Sequence, residues 1–473
     1  MRRLPLLVLA ACSNTTTNHQ MDAGPDAKPY YDARTDAVGS PDAYAARPCD
    51  APVSFAEGLV PTRVLHVEAG AVGGDGSAEK PFGSIAAAAA IATPGTFIQL
   101  GLGNHATNQF IPNLHGTATA PIWIGGVQGT HPKINGGAEG LHLTAPQYVV
   151  IQNLELHGQS ANGIDIDDSV GNANDAHHVT LSSVDVYDVL ETGSGTEAGI
   201  KASGVNDLAI HDSVVLRCGI GIELVGVHDS VVARNVVSGS LLHGIRARGG
   251  STDVDIRQNK LRDNGTTGVV LGGSTPFSQF RPPLSMTAPN AEARRVRSFD
   301  NVVTGASSSG FSFISCVDCL VAHNLVFGSP LRLVGIYEGN SSQNGYTFEL
   351  TKNGRVINNS FVWTSPISFG HVDVGVGSSA ATFTFSHDLW LALSTPSQST
   401  PYLGTTFNPV PDTGAVIGIG TGYSADPTVY CGGPEASTAT PLPEVDGTIE
   451  GWCRSASVPT IGPLMLSEGA CDL

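Results

Sequence analysis

The sequence predicts an all-β fold, a right-handed parallel β-helix in which short strands stack coil upon coil. Three observations carry that expectation. The first is a period: Ile210, Val232 and Ile256 are 22 and 24 residues apart, and Ser298 and Val321 are 23 apart. Each belongs to one short pattern, apolar–any–apolar and then Asn and a further apolar residue. Val254, Ile256, Asn259 and Leu261 form one copy, and Cys319, Val321, Asn324 and Val326 another. The second is a Gly–apolar element between copies, at Gly199-Ile200, Gly221-Ile222, Gly244-Ile245, Gly268-Val269 and Gly310-Phe311. Its alternation turns Ile200, Ala202, Ile222, Leu224, Ile245 and Ala247 inward. The third is composition: 57 Gly against only 24 Lys plus Arg, in a chain rich in Val, Ile, Thr, Ser and Asn, the residues of strands and tight turns. A unit of this size cannot bury its apolar face alone and is stable only when stacked.

The elements follow in chain order. Arg2 and Arg3, an apolar run from Leu4 to Ala11 and then Cys12 make residues 1–12 a secretory leader, too short to span a bilayer. The tetrad Leu9-Ala10-Ala11-Cys12 resembles the bacterial lipobox; the other reading is a plain signal peptide with a chance cysteine. The resemblance implies lipidation of Cys12 and an exported protein on the outer membrane or cell surface of a Gram-negative bacterium, with the lipid as its only membrane attachment. In residues 13–48 Asp-Ala recurs without an apolar period, so this segment is expected to be a disordered acidic tether. The β-helix is expected over 49–390, opening with a helix from Ile85 to Ile91 that caps the solenoid and ends at Pro94-Gly95. Residues 391–473 read as a loop-rich cap in which Cys431, Cys453 and Cys471, with Cys49, are candidates for disulfides of open connectivity. Cys316 and Cys319 lie inside the repeat and read as packing or a local bridge, not a zinc or redox site. The recurrent Asn, with Ser213 in its place in one coil, is expected to turn inward and bond its counterpart about 4.8 Å along the stack.

Residues 64–105 look like the N-terminal signature of pectate-lyase-like (and chondroitinase-B-like) β-helix proteins. The motifs are Val64 to Val67, Gly74-Asp75-Gly76, Lys80-Pro81-Phe82, Ile85, Pro94-Gly95 and Phe97 to Leu100. Ile122 to Ile124 and Tyr148 to Asn153 continue the resemblance, which covers residues 60–390. Lyases of this kind bind acidic polysaccharide along one outer face. They use Lys or Arg to remove the proton α to a uronate carboxylate, often beside calcium. Carried onto this chain, the resemblance implies Lys201 and Arg246 as catalytic groups and Asp165, Asp167 and Asp168 as Ca2+ ligands. Glu223, Arg248, Phe280, Arg281 and Arg332 would then contact substrate. No complete catalytic motif of any lyase family aligns, and the architecture also hosts hydrolases, epimerases and binding proteins.

The residues themselves leave two readings open. Outward positions of the Gly–apolar strands give one row: Asp165 and Asp167, Lys201, Glu223, Arg246 with Arg248, Val270, Ser312 and Arg332. Neighbours in such a row stand within about 5 Å. Alternating charge makes a self-neutralising ladder the plain reading. A functional face is favoured by the nine basic residues against four acids in 246–297. A long excursion from Gly272 to Asn290 adds to it, where Phe277, Phe280 and Arg281 could wall a sugar site. His243 is a candidate base, and His177 and His178 read as incidental. Free, convergent tips at Lys201, Glu223 and Arg246 would mark a catalytic face; mutual ion pairs would mark a binding or structural one. The net charge of −18, about −20 once Arg2 and Arg3 leave with the leader, argues against nucleic acid as partner. The expectation is a monomeric surface protein that binds, and in the lyase reading cleaves by β-elimination, an acidic polysaccharide. The alternative is a non-catalytic solenoid for adhesion, glycan binding or envelope structure.

Overall fold

The computed structural model describes residues 54–169, 176–190, 197–363, 365, 367–392 and 412–413, and the backbone of 416–419. Cys12, the Asp-Ala tether, Cys49, Cys431, Cys453, Cys471 and nearly all of the 391–473 cap lie outside the described residues.

One coil shows how the chain winds. From the strand Ile220–Val225 it turns into His228–Ala233, bends at Asn235, continues as Val236–Ser238 and returns one coil on as His243–Arg248. The coils pair in parallel and in register: Ile222 opposes Ile245, Val232 opposes Ile256, and Val237 opposes Leu261. Among the described residues this repetition builds a broad sheet of 25 strands and a narrow sheet of ten. The narrow sheet holds the Gly–apolar strands. Its glycines point at the broad sheet: a Cβ on Gly221 would lie 2.3 Å from Val237 Cγ1, and one on Gly199 2.4 Å from Val215 Cγ1. The apolar residue that follows fills the core, so Ile164, Ile200, Ile222, Ile245, Val269, Phe311 and Val334 stack in one fully buried row. Burial stabilises each by roughly 1.5–3 kcal/mol.

The asparagine ladder forms as expected. Ser213 N donates to Asn235 Oδ1 at 3.1 Å, and the amides of Asn235, Asn259, Asn301 and Asn324 each donate to the next rung at 3.0 Å. Asn359 ends the series on Asp388 at 2.9 Å. The residue before each rung takes left-handed backbone, with φ of 56° at Arg234, 58° at Gln258 and 55° at Asp300. That conformation costs roughly 1 kcal/mol in a residue with a Cβ. The satisfied amide it aims inward offsets the cost.

The capping helix spans Ile85–Ala89, with Ser84 Oγ accepting from Ala87 N at 3.2 Å, and packs Ile85 and Ala88 on the core. It stops before Ile91, which stands exposed. Cys316 and Cys319 form a local disulfide. Cys218 is a free thiol that burial pushes up to about 12. No described helix is long and apolar enough to cross a membrane.

Candidate functional site

The outer face of the narrow sheet carries the predicted charges, and its register assigns them. Phe110, His142, Asp165, Lys201, Glu223 and Arg246 follow one another in a single column. Val270, Ser312, Gly335 and Asp373 continue it. Asp167 and Arg248 belong to the next column, beside Ser203 and Val225.

The charges pair with each other. Lys201 Nζ donates to Asp165 at 3.0 Å. Arg246 donates twice to Glu223, at 2.8 and 3.1 Å, and Arg248 donates to the same carboxylate. Burial raises the Asp165 pKa, a rise that Lys201 opposes. The ladder of alternating sign is therefore real, and the tips of Lys201, Glu223 and Arg246 are engaged.

Four further expectations are corrected by the geometry. Arg332 is not in the central column: it stands opposite Ser309, and Gly335 takes the place opposite Ser312. From there its guanidinium reaches Asp373 one coil on, at 3.0 Å. Phe280 cannot wall a sugar site, because it is 2% exposed and packs 5.7 Å from Phe348 inside the excursion. The basic segment 246–297 is not one patch. Arg246 and Arg248 lie on the narrow sheet, whereas Arg295 and Arg297 lie along the broad sheet, paired with Asp253 and Asp255. The calcium ligands do not converge: Asp165 is held by Lys201, Asp167 by His142 and Asp168 by Arg281. Among the described residues no three His, Cys, Asp or Glu side chains are grouped to hold a metal ion. A donor set already committed to three cations does not fit Ca2+.

Two features bring the remaining groups together. The excursion folds back along the edge of the narrow sheet, so that Arg281 Nε meets both oxygens of the buried Asp168 at 2.9 Å. Two coils before Lys201, His142 is clamped between Glu139 (Nδ1 to Oε2, 2.8 Å) and Asp167 (Nε2 to Oδ2, 2.8 Å). The hydrogen bonds to Asp167 and then Glu139 raise the imidazole to about 10, so it is a cation at neutral pH. Glu139 is lowered, chiefly by His142. Asp167 is lowered too: burial pushes it up, and His142 and Ser169 N outweigh that. Between sheet face and excursion lies a cavity of about 570 Å³, lined in part by Phe110, His142, Asp167, Lys201, Gln279 and Arg281. Phe110 is 54% exposed, its ring edge-on to His142 at 5.2 Å. His142 escaped the sequence reading because the row was begun at Asp165. Gly140-Leu141 carries the same Gly–apolar marker one coil earlier.

The two other histidine expectations fall outside this cavity. His243 bonds Thr266 Oγ1 at 2.8 Å, and burial, with Arg246, lowers it to about 4. His177 and His178 sit on the broad sheet beside Tyr148.

Residues 136–281 match the family model of the right handed beta helix region. The fold is a right-handed parallel β-helix. Solved β-helices of similar course include a GH136 lacto-N-biosidase from Eubacterium ramulus, at 13% identity over 76% of this chain and 68% of that one, with a TM-score of 0.52. XylC in complex with xylose is similar at 9% identity over 85% of this chain and 98% of that one, with a TM-score of 0.52. No curated protein matches the chain by sequence. On this β-helix the cavity presents three cations and one carboxylate beside an aromatic ring. That set is suited to holding an anionic, ring-bearing ligand.

Proposed function

We propose that the protein binds an acidic polysaccharide in the cavity beside the excursion, without cleaving it by β-elimination. One observation carries the reading. The His142 imidazolium, Lys201 and Arg281 line the cavity with Phe110, while the partners of the last two cations, Asp165 and Asp168, are buried beneath. Of the cavity's acids only Asp167 lines the mouth with them. A uronate carboxylate can then form charge-assisted hydrogen bonds to the cations while its ring rests against Phe110. The similar β-helices, a lacto-N-biosidase and XylC in complex with xylose, support a saccharide ligand. Elimination needs a base that can accept a proton. Lys201 Nζ is engaged by Asp165, and Arg246 is a guanidinium fixed on Glu223, so neither tip is free to reach an α-proton. Exported and anchored through Cys12, the protein would present this cavity outside the cell; a Cys12→Ala variant that stays in the membrane fraction would remove that part of the proposal.

The test is calorimetric titration of the mature protein with polygalacturonate, alginate and chondroitin sulfate, with ultraviolet absorbance followed for unsaturated product. Binding that weakens with salt, is lost at least fivefold in Lys201→Ala and Phe110→Ala, and yields no absorbance is expected. No binding to any of these polymers would overturn the reading. Product formation abolished by Lys201→Ala would replace binding with lyase chemistry.

A further inference from the structure

The same face carries a second cluster that the cavity does not use. Arg332 lies between two rings, its guanidinium carbon 5.1 Å from the centroid of Phe369 and 5.4 Å from that of Tyr337. Its Nε is 3.0 Å from Asp373 Oδ2, and Nη1 donates to Ser308 Oγ at 3.2 Å. The Tyr337 hydroxyl donates to the same Asp373 oxygen at 2.6 Å. A Cβ on Gly335 would fall 2.3 Å from the Tyr337 ring, so the glycine lets that ring lie across the strand. Every polar group of the cluster is thus held in place. Phe369 is not covered: the guanidinium is beside it, and it remains 56% exposed.

An exposed aromatic ring with a fixed carboxylate, 28% exposed, held across the same guanidinium is a recognition pattern for a pyranose. The ring takes the C–H face of the sugar, and the carboxylate accepts from its hydroxyls. Asp373 stays partly exposed beside Arg332 and opposes a uronate carboxylate, whereas in the cavity Asp165 and Asp168 are buried beneath Lys201 and Arg281. We infer that Phe369, Arg332 and Asp373 form a second saccharide site, selective for an uncharged sugar ring, at the far end of the narrow sheet. The inference rests on the reading that the protein's ligand is a glycan. Asp373 is in the cavity's own column, six coil steps beyond Lys201, or about 29 Å at the parallel-strand spacing. The intervening outer residues Glu223, Val270 and Ser312 are buried, so the two sites are separate points of contact and not one trough. A heteropolysaccharide with both charged and neutral sugars would engage both and gain avidity from the link.

The experiment titrates the mature protein with two probe sets: an oligogalacturonate, and the uncharged hexasaccharides of xylose, glucose and mannose. Phe369→Ala should weaken a neutral hexasaccharide about tenfold and leave the oligogalacturonate unchanged, since stacking contributes about a kcal/mol or more. Phe369→Trp should retain or tighten neutral binding, which a purely structural role for the ring would not predict. Lys201→Ala should do the reverse of Phe369→Ala. No neutral binding, or neutral binding indifferent to Phe369→Ala, overturns the second site while leaving the cavity standing. Loss of the uronate arm alone sinks the cavity reading and leaves the second site intact.

Discussion

Glu223 is the point where the charged column can be tested most sharply. Its side chain is 3% exposed and accepts from Arg246 and Arg248, which are 18% and 12% exposed. Glu223→Ala removes one carboxylate and leaves two poorly solvated guanidinium groups without a counter-ion. Breaking a buried pair from one side costs roughly 3–5 kcal/mol. Glu223→Gln keeps an acceptor oxygen and should cost about 1–3 kcal/mol. Replacing all three residues by Met removes the stranded charges and should fall within about 1 kcal/mol of wild type, since apolar replacement of a buried ion pair is often neutral. Urea unfolding followed by tryptophan fluorescence reads the difference, as midpoint shift multiplied by the slope, provided the slope is unchanged between variants. A loss below about 1 kcal/mol in Glu223→Ala would refute the reasoning, because that is the behaviour of a solvent-exposed pair. The same variants should leave oligogalacturonate binding in the cavity unaltered.

The His142 ring should titrate near pH 10 by NMR, and Asp167→Asn should lower that value by removing the largest of the effects that raise it. The sign follows from the folded state binding the proton more tightly than the unfolded chain. The cluster's stabilisation is complete below pH 6.5 and disappears as the pH climbs through about 10, so a gain in stability across that window would contradict it. Asn301→Ala should cost about 3 kcal/mol in urea unfolding, because Asn259 N loses its acceptor and Ile256 O its donor. Asp388→Asn continues the ladder with an amide in place of a buried carboxylate whose pKa burial raises, with neighbouring Asp412 raising it further. Between the unfolded and the raised folded pKa the native state holds the extra proton, so wild-type stability should fall as pH rises through that interval. The Asn variant should be flatter with pH and more stable at pH 8; a lower midpoint than wild type there would count against this account.

What could be read from sequence follows from what each coil repeats. Inward anchors, asparagine rungs and the Gly–apolar strand recur every turn, so their period assigns inside and outside without any coordinates. Arg332 was misplaced because its strand lacks the marker: Leu333 and Val334 stand where other coils have Gly and an apolar residue, and the frame slips. Phe280 was misjudged for a different reason. Its neighbour Phe348 is far along the chain in a separate loop, a contact that no periodicity announces. The His142 clamp needed one more step. Gly140 and Leu141 both turn inward, which places Glu139 outward on the same face as His142, three residues on.

The Arg281–Asp168 contact has a consequence for the stack as a whole. Stability in a solenoid passes between adjacent coils, and an end can fray one turn at a time. Arg281 ties positions 113 residues apart, and on the way its backbone N donates to Gly249 O at 3.0 Å. The five narrow-sheet strands from Asn162–Asp167 to Thr267–Gly272 are thereby enclosed in one loop of contacts. A coil inside that loop cannot peel away until the excursion itself lets go. The segment that shapes the cavity is in this sense also a hoop, converting a row of weakly coupled turns into a single cooperative block around the site.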